Sequence, residues 1–232
     1  MNKIVLLFFL LIAFTSCNKY KIEGSTADSG LDGRMFFVKV LGDDREWHTI
    51  DSCEVVHGEF TMEGNVDSVV MATLFMDNNA ILPLVIEKGK LKVKINESDI
   101  KVSGTPMNDS LYEFMNKQNS INTQFNDLLH KESQMILNGE DPDVAHEMLN
   151  REGEKLSKEM SDLTVNFITG NFDNVLGRGV FLIMINNMPY PLITPEITRI
   201  MDKAPDSFKE YPLIKEYMSA AHENMNRARQ QY

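Results

Sequence analysis

Cysteine is scarce in this sequence, which holds only Cys17 and Cys53 among its 232 residues. Dithiol exchange needs an attacking thiolate and a second thiol that resolves the mixed disulfide, usually in a Cys-x-x-Cys arrangement. The two cysteines lie far apart in the chain and form no such motif. The sequence therefore predicts no dithiol redox activity.

Positive charge is also in deficit, because 23 Lys and Arg residues stand against 34 Asp and Glu residues, for a formal net charge of -11. Proteins that bind nucleic acid neutralise its phosphates with clustered Lys and Arg side chains. No basic cluster stands out along the chain, so we expect no nucleic-acid partner.

Motifs for metal binding and catalysis are missing as well. A zincin needs His-Glu-x-x-His, and His146-Glu147 begins this pattern, but Asn150 occupies the position of the second histidine. His48 and His57 lie near turns of neighbouring predicted strands, which leaves a metal site between them as an alternative. Acidic side chains are plentiful, and no pair stands out as acid and base. We therefore predict no catalytic residue, no cofactor and no metal, in a protein that is not an enzyme.

One long apolar run is present, from Ile4 to Phe14, and Lys3 precedes it. A membrane-spanning helix needs about 20 apolar residues, so this run is too short for a permanent span. The pattern is typical of a cleaved export signal, and we assign residues 1–16 to it.

The residues that end this signal, Thr15 and Ser16, lead directly to Cys17. This arrangement resembles the bacterial lipobox, which implies that the Cys17 thiol receives a diacylglycerol and that the new amino terminus is acylated. Each buried CH₂ group of an acyl chain contributes about 0.8 kcal/mol to membrane binding, so two or three chains anchor a protein stably. We predict lipidation at Cys17 and a membrane-anchored mature protein. An ordinary secretory signal followed by a chance cysteine is the alternative.

Between Tyr20 and about Gly104, short stretches alternate apolar and polar residues and end at Gly or Asp/Asn turns. A period of two is typical of half-buried strands, and their number and spacing favour a sandwich or a barrel. Gly58 is predicted to take the tight turn of a hairpin, with Phe60 and Met62 on one face of the strand that follows.

After Gly104 the apolar residues recur at steps of three or four, which predicts amphipathic helices. Two long helices, joined at Asn138-Gly139, are expected to pack antiparallel, and Thr105 is predicted to cap the first of them. The predicted fold class is α+β: an N-terminal antiparallel β-sandwich or open barrel at residues 17–105, followed by a C-terminal all-helical domain at residues 106–232.

Methionine is abundant, at 15 residues. Thioether sulfur suits Cu(I), but these methionines are spread through predicted helices without a tight cluster beside histidines, so we predict that they fill the core. Gly177-Arg178-Gly179 lacks the preceding strand and the third glycine of a dinucleotide-binding turn, and we predict that it allows close helix packing.

Several longer segments resemble a known pattern: TIDSCEVVHGEFTMEG, LVIEKGKLKV and VSGTPMNDSLYEF. They are similar to the β-domain of unknown function that precedes the thioredoxin domain in exported lipoproteins of the Bacteroidota. NFITGNFDNVLGRGVF is similar to the helical connector of those thiol-disulfide oxidoreductase lipoproteins. The chain ends at Tyr232, about where their thioredoxin domain would begin, so the resemblance implies the scaffold without the enzyme.

Three further residues receive predicted roles. Cys53 is expected to be a small core side chain whose pKa Asp51 and Glu54 would raise if they lie close. Ser68 and Ser110 each stand in an Asp-Ser-aliphatic triplet, the pattern associated with protein O-glycosylation in the Bacteroidota, so both are possible glycosylation sites.

The function predicted first is that of an exported, lipid-anchored envelope protein, facing the periplasm, that acts as a non-catalytic binding or interaction module. The alternative is an accessory subunit of a periplasmic thiol-disulfide exchange system that works with a separate partner of thioredoxin fold. A third hypothesis, a hydrolase that uses surface carboxylates, would require a concave acidic pocket.

Overall fold

The computed structural model describes residues 18–96 and 99–230. Its first part contains eight strands in two four-stranded sheets, and its second part is helical, which confirms the predicted α+β class. The strands are β1 (Lys19–Thr26), β2 (Met35–Leu41), β3 (Trp47–Glu54), β4 (Glu59–Asn65), β5 (Val70–Met76), β6 (Asn79–Ile86), β7 (Gly89–Ile95) and β8 (Ile100–Ser103).

The two sheets form the layers of a sandwich. We name them sheet A, with strand order β4-β1-β7-β8, and sheet B, with strand order β3-β2-β5-β6. Neighbouring strands run antiparallel with one exception, the parallel pair of β1 and β7, so sheet A is mixed. These two strands lie far apart in sequence, and no hairpin turn constrains their relative direction.

The sandwich interior follows from the alternation of side chains along each strand. In sheet B the inward residues include Phe36, and in sheet A they include Phe60 and Met62, all of them buried. The rings of Phe36 and Phe60 meet edge to face across the two sheets, with centroids 4.8 Å apart. Gly24 makes room for the second ring, because a Cβ at that position would fall inside it.

The hairpin between β3 and β4 turns at His57 and Gly58, whose φ angles are 54° and 72°. Positive φ at both central residues is the geometry of a tight two-residue hairpin turn, which confirms the role predicted for Gly58. Phe60 and Met62 then share the buried face of β4, as their spacing predicts.

Six helices follow the strands: α1 (Pro106–Leu137), α2 (Pro142–Thr169), α3 (Val175–Asn186), α4 (Pro195–Lys203), α5 (Asp206–Lys209) and α6 (Pro212–Gln230). The first two helices pack antiparallel. Gln118 of α1 donates a hydrogen bond to Thr164 of α2, and further along α1 Lys131 pairs with Glu152, which lies earlier in α2. Gly139, with φ 84°, lies in the turn between them, as predicted.

The start of α1 differs from the prediction. Thr105 makes no side-chain cap, and Glu87, from the turn after β6, accepts hydrogen bonds from the Met107 and Asn108 backbone N–H groups at 2.8 and 3.2 Å. A carboxylate at this position also interacts favourably with the positive end of the helix dipole. The Thr105 hydroxyl instead accepts from the Asn108 side chain at 2.8 Å.

Asn108 fixes α1 to sheet B. Its buried amide accepts from Val85 N–H at 2.9 Å and donates to the Val85 carbonyl at 2.8 Å, so it completes the outer edge of β6 as another strand would. One turn further, the Tyr112 hydroxyl donates to the Pro83 carbonyl at 3.0 Å. Both contacts hold α1 against the β6 edge of sheet B.

Two glycines allow α3 to pack closely against its neighbours. A Cβ on Gly177 would lie 2.4 Å from the Asn171 carbonyl oxygen, and one on Gly179 would lie 2.7 Å from Met71 Cγ on β5. The close packing predicted for the Gly-Arg-Gly segment is therefore confirmed, and it brings α3 against sheet B.

The secondary structure changes at Pro106, and buried residues from both sides of that point belong to one hydrophobic core. The division of the chain into two domains stays a prediction. The buried apolar side chains of the described residues run from Tyr20 to Ala221, so the chain from Asn18 onward holds this whole core. No helix in the described part of the chain combines the length and the apolar character needed to cross a bilayer.

Candidate functional site

A cleft of about 720 Å³ opens between sheet B and the helices. We call it the cleft. Its floor comes from β5 and β6, and its walls come from the first half of α1, the second half of α2, and α3. The start of α4, at Thr194 and Glu196, closes one end.

The lining of the cleft is mostly apolar and includes several flexible side chains. Methionine has an unbranched, polarizable side chain that adapts to differently shaped partners. The sulfur-containing and aromatic residues of the lining are Met115, Met160, Met184, Met188, Trp47, Phe114 and Phe125. Methionine was predicted to fill the core, and Met62 does so, whereas these four methionines are half-buried around the cleft.

One hydrogen-bonded group of polar side chains lies where α2 meets α4 at the end of the cleft. The Ser161 hydroxyl donates to Glu196 Oε1 at 2.8 Å and accepts from Arg199 at 3.3 Å. Partial burial disfavours the charged form of Glu196, but hydrogen bonds from its own backbone N–H, Ser161 and Thr194 outweigh this effect, and the pKa of Glu196 lies below its ordinary value. The carboxylate is therefore ionised at neutral pH.

Trp47 and Ile183 stand at the mouth of the cleft. They are 43% and 39% exposed, which is high for large apolar side chains. Trp47 packs edge to face on Phe75, with ring centroids 5.0 Å apart, so its position is fixed although much of it contacts solvent. Exposed apolar groups beside a cavity are typical of a binding surface.

A second cavity, of about 210 Å³, lies on the other side of Trp47 and shares Ile183 with the cleft. Arg178 lies over the ring of Tyr211 here, 5.0 Å from its centroid. Burial, followed by the charge and the hydrogen bond of Asp43, raises the pKa of Tyr211 against the opposing effect of Arg178. The tyrosine is neutral at physiological pH.

The cleft offers few ionisable groups. Among its lining residues in the described chain, Glu196 is the only ionisable one. General acid-base catalysis uses a second group poised to exchange a proton, and a serine nucleophile needs an adjacent base. This cleft is not the concave acidic pocket that the hydrolase hypothesis requires.

Cys53 lies half-buried on β3, opposite Phe36 of β2. Burial and, after it, the charge of Asp51 raise the pKa of its thiol, although a backbone hydrogen bond at Thr61 opposes the shift. The predicted effect of Asp51 is confirmed, and Glu54 is not among the causes. Asp51 itself accepts a hydrogen bond from the Tyr20 hydroxyl at 2.7 Å, which joins the two sheets.

The predicted modification sites fall in different surroundings. Cys17 lies outside the described residues. Ser68 is exposed in the bend that precedes β5, and Ser110 is half-buried in the first turns of α1. Lipidation at Cys17 and glycosylation at Ser68 and Ser110 stay predictions.

The metal site considered between His48 and His57 does not form. His48 lies at the start of β3 and contacts Asp44 at 2.9 Å, whereas His57 lies in the turn beyond the other end of that strand. The extended strand holds the two rings apart. The described part of the chain contains no group of three or more His, Cys, Asp or Glu side chains that could hold a metal ion.

One feature of the surface was missed by the sequence analysis. The outward positions of sheet A carry clustered lysines, which we call the lysine face: Lys19, Lys21, Lys90, Lys92, Lys94 and Lys101. The signal was present in KLKVK, where lysine alternates with buried residues. The parallel pairing of β1 with β7 completes the cluster, and sequence spacing alone does not give that register.

The cleft and the lysine face lie on a scaffold whose first part resembles a known family. Residues 20–111, from the second residue of β1 to the start of α1, match the family model of DUF4369, a domain of unknown function. A comparison with curated proteins finds no match. The strand-rich part of this chain is thus similar to DUF4369, and the residues that form the helical walls of the cleft lie largely outside the matched stretch.

Proposed function

We propose that this protein is a lipid-anchored component of the cell envelope, facing the periplasm, whose cleft binds a mostly apolar small molecule without converting it. The single observation that carries the binding role is the open apolar cleft. Its volume of about 720 Å³ lies within the range of about 300–1,000 Å³ that is usual for small-molecule sites.

The lining supports a ligand with an apolar body and few polar groups. Met115, Met160 and Met184 surround the middle of the cleft, so the site can adjust to the shape of its occupant. Ionised Glu196 at one end favours a ligand that is neutral or carries a positive charge there, because a carboxylate would be repelled.

The anchoring part of the proposal rests on the apolar run from Ile4 to Phe14 and on Cys17 directly after it. The resemblance to exported lipoproteins that carry a thioredoxin domain belongs to this part, because it agrees with export and lipidation. Acylated Cys17 should be recovered when the amino terminus of the membrane fraction is analysed by mass spectrometry. Cys17→Ala should release the protein from the membrane, and an unmodified Cys17 in the membrane fraction would contradict the anchor.

The alternative function, an accessory role beside a partner of thioredoxin fold, has less support. Cys53 is half-buried and its raised pKa disfavours the reactive thiolate. A pull-down that recovers a thioredoxin-fold protein, and loses it when Cys53 or the neighbouring surface is changed, would favour this alternative.

The cleft can be tested with N-phenyl-1-naphthylamine, a neutral apolar fluorophore that accepts energy from tryptophan. Trp47 is the only tryptophan of the chain, so energy transfer reports binding beside it. The protein from Asn18 onward should bind the probe saturably. Ile183→Glu should weaken binding at least about tenfold, because it places an unpaired charge beside apolar surface.

Val144→Glu is the matched control. Val144 is also an exposed branched aliphatic side chain on a helix, 62% exposed near the start of α2, and it does not line the cleft. It should leave probe binding unchanged. Equal binding by the Ile183 variant, or no saturable binding by the parent protein, would overturn the proposed ligand site.

A further inference from the structure

The lysine face is unusual for a chain with a formal net charge of -11. Its side chains come from β1, β7 and β8, and they alternate with the buried residues of those strands. Helix α3 packs on sheet B and α1 borders β6 and β8, whereas the outward lysines of β7 are exposed to solvent.

The pairing of the strands places like charges side by side. Lys21 lies directly opposite Lys90, and Lys94 lies directly opposite Lys101. Opposite charges also face each other, because Glu63 of β4 lies opposite Lys21 and Glu23 lies opposite Lys92. Like charges at opposed positions of a sheet destabilise it. Repulsion at these two positions costs folding free energy, which indicates a role outside the fold, and a negatively charged partner would remove it.

Carboxylates within the chain neutralise only part of the face. Glu23 lies 3.1 Å from Lys21 Nζ and 2.6 Å from Lys90 Nζ, and Asp99 lies 3.0 Å from Lys101 Nζ. Lys92 and Lys94 form no ion pair with any described residue. Glu59 and Glu63 also point outward, but they belong to β4 at the far edge of sheet A, so the side formed by β7 and β8 is the most positive.

The position of Cys17 supplies a second, independent observation. Lys19, the first residue of β1, follows Cys17 by two residues. Two extended residues span about 7 Å, which is shorter than the Debye length of about 8 Å at physiological ionic strength. A lipid on Cys17 therefore holds the nearest lysines within electrostatic range of the membrane surface.

We propose that the lysine face docks on anionic lipid headgroups of the membrane that carries the anchor. Sheet A then lies along the bilayer, and the cleft on the far side of sheet B opens away from it. This inference rests on the anchoring part of the proposed function, and it adds the orientation and the lipid class. The charge on the face favours headgroups such as phosphatidylglycerol over zwitterionic ones.

Vesicle co-sedimentation tests the face without the anchor, using the protein from Asn18 onward. It should bind vesicles of phosphatidylcholine mixed with phosphatidylglycerol, bind phosphatidylcholine vesicles much less, and lose binding as salt is raised. Each lysine near an anionic surface contributes about fivefold, so Lys90→Glu/Lys92→Glu/Lys94→Glu should lower the partition coefficient about 100-fold or more.

The matched control is Lys155→Glu/Lys158→Glu/Lys203→Glu, which changes the net charge equally but places the substitutions on α2 and α4. It should bind nearly as well as the parent protein. Lys92→Gln/Lys94→Gln, at two exposed positions without ion pairs, provides a milder variant if the triple change impairs folding, and it should lose about 25-fold.

Three results would overturn the inference: equal losses in the two triple variants, no preference for phosphatidylglycerol, or binding of a short DNA duplex as tight as vesicle binding. The proposed function is tested by separate measurements. Probe binding in the cleft should be unchanged in the lysine variants, and acylation of Cys17 is measured by mass spectrometry, so failure of the lysine face leaves both results standing.

Discussion

The two outer faces of the sandwich have opposite surroundings, although both belong to strands with the same inward apolar alternation. On sheet B, outward Met71 contacts α3, the Pro83 carbonyl at the β6 edge accepts a hydrogen bond from Tyr112 of α1, and the gap between these helices forms the cleft. On sheet A the outward residues of β7 are Lys90, Lys92 and Lys94, which are exposed. The inward residues make the sandwich, and the outward residues decide which face receives another layer.

The single lysine on the outward side of β2 illustrates the difference. Lys39 Nζ lies over the rings of Phe37 and Phe75, 5.4 and 4.7 Å from their centroids. Its charge therefore makes cation–π contacts with two aromatic side chains. On sheet A, Lys21 and Lys90 pair with Glu23, whereas Lys92 and Lys94 form no ion pair with a described residue. Apolar outward residues thus suit sheet B for packing against helices, whereas the outward side of β7 on sheet A presents exposed lysines.

The largest expected effect tests how the helical layer is attached to sheet B. Asn108→Leu should lower the free energy of unfolding by about 3 kcal/mol, because it leaves the Val85 N–H and carbonyl groups buried without partners. Lys92→Ala, on the exposed face of sheet A, should change it by less than about 0.5 kcal/mol. Chemical denaturation measures both changes in the free energy of unfolding. Similar losses in the two variants would contradict the difference between the covered face of sheet B and the exposed face of sheet A.

The next effect concerns the close approach of α3. Gly177→Ala should destabilise the protein by about 2 kcal/mol. The new Cβ would clash with the Asn171 carbonyl oxygen, a backbone atom that cannot easily shift. Gly153→Ala, in α2 with nothing within 4 Å of the added Cβ, should stabilise it by about 0.5–1 kcal/mol. Opposite signs in thermal or chemical denaturation are the expected result, and equal signs would contradict the packing described for α3.

A smaller effect tests the contact that joins the two sheets. Burial, then the hydrogen bond and the charge of Asp51, raises the pKa of Tyr20. Above a pH of about 10 the unfolded chain releases this proton while the folded chain retains it, so stability present below that pH should fall as pH rises further.

Tyr20→Phe should remove this part of the alkaline loss and cost about 1 kcal/mol at neutral pH, where the hydrogen bond to Asp51 is lost. Tyr190→Phe is the control, because Tyr190 is 56% exposed. Urea denaturation over a range of alkaline pH gives both quantities. A slope against pH that is the same in the Tyr20 variant and the parent protein would exclude this contribution.

Much of the fold could be predicted from local patterns, and the exceptions have physical reasons. Gly58 and Gly177 act over a few residues, so spacing was sufficient to assign them. Thr105 stood at a typical cap position, but Glu87 caps α1 from the turn after β6, and a local pattern does not include such a remote partner.

The candidate sites were harder to predict because both are assembled from distant segments. The cleft combines Trp47 of β3, Met115 of α1 and Ile183 of α3, and each of these residues taken alone has the pattern of an ordinary core or surface position. The lysine face depends on the register that sets Lys21 opposite Lys90. Alternation predicts which residues share a face of one strand, but not which strands become neighbours.

Quenching of Trp47 by acrylamide tests the central claim most directly, because this single tryptophan lies at the cleft mouth on the side of sheet B. The protein from Asn18 onward is measured alone, with vesicles that contain phosphatidylglycerol, and with N-phenyl-1-naphthylamine. The contrast between the faces predicts that vesicle binding leaves the quenching constant unchanged, whereas the probe lowers it. A quenching constant that falls on vesicle binding, or that the probe does not change, would contradict it.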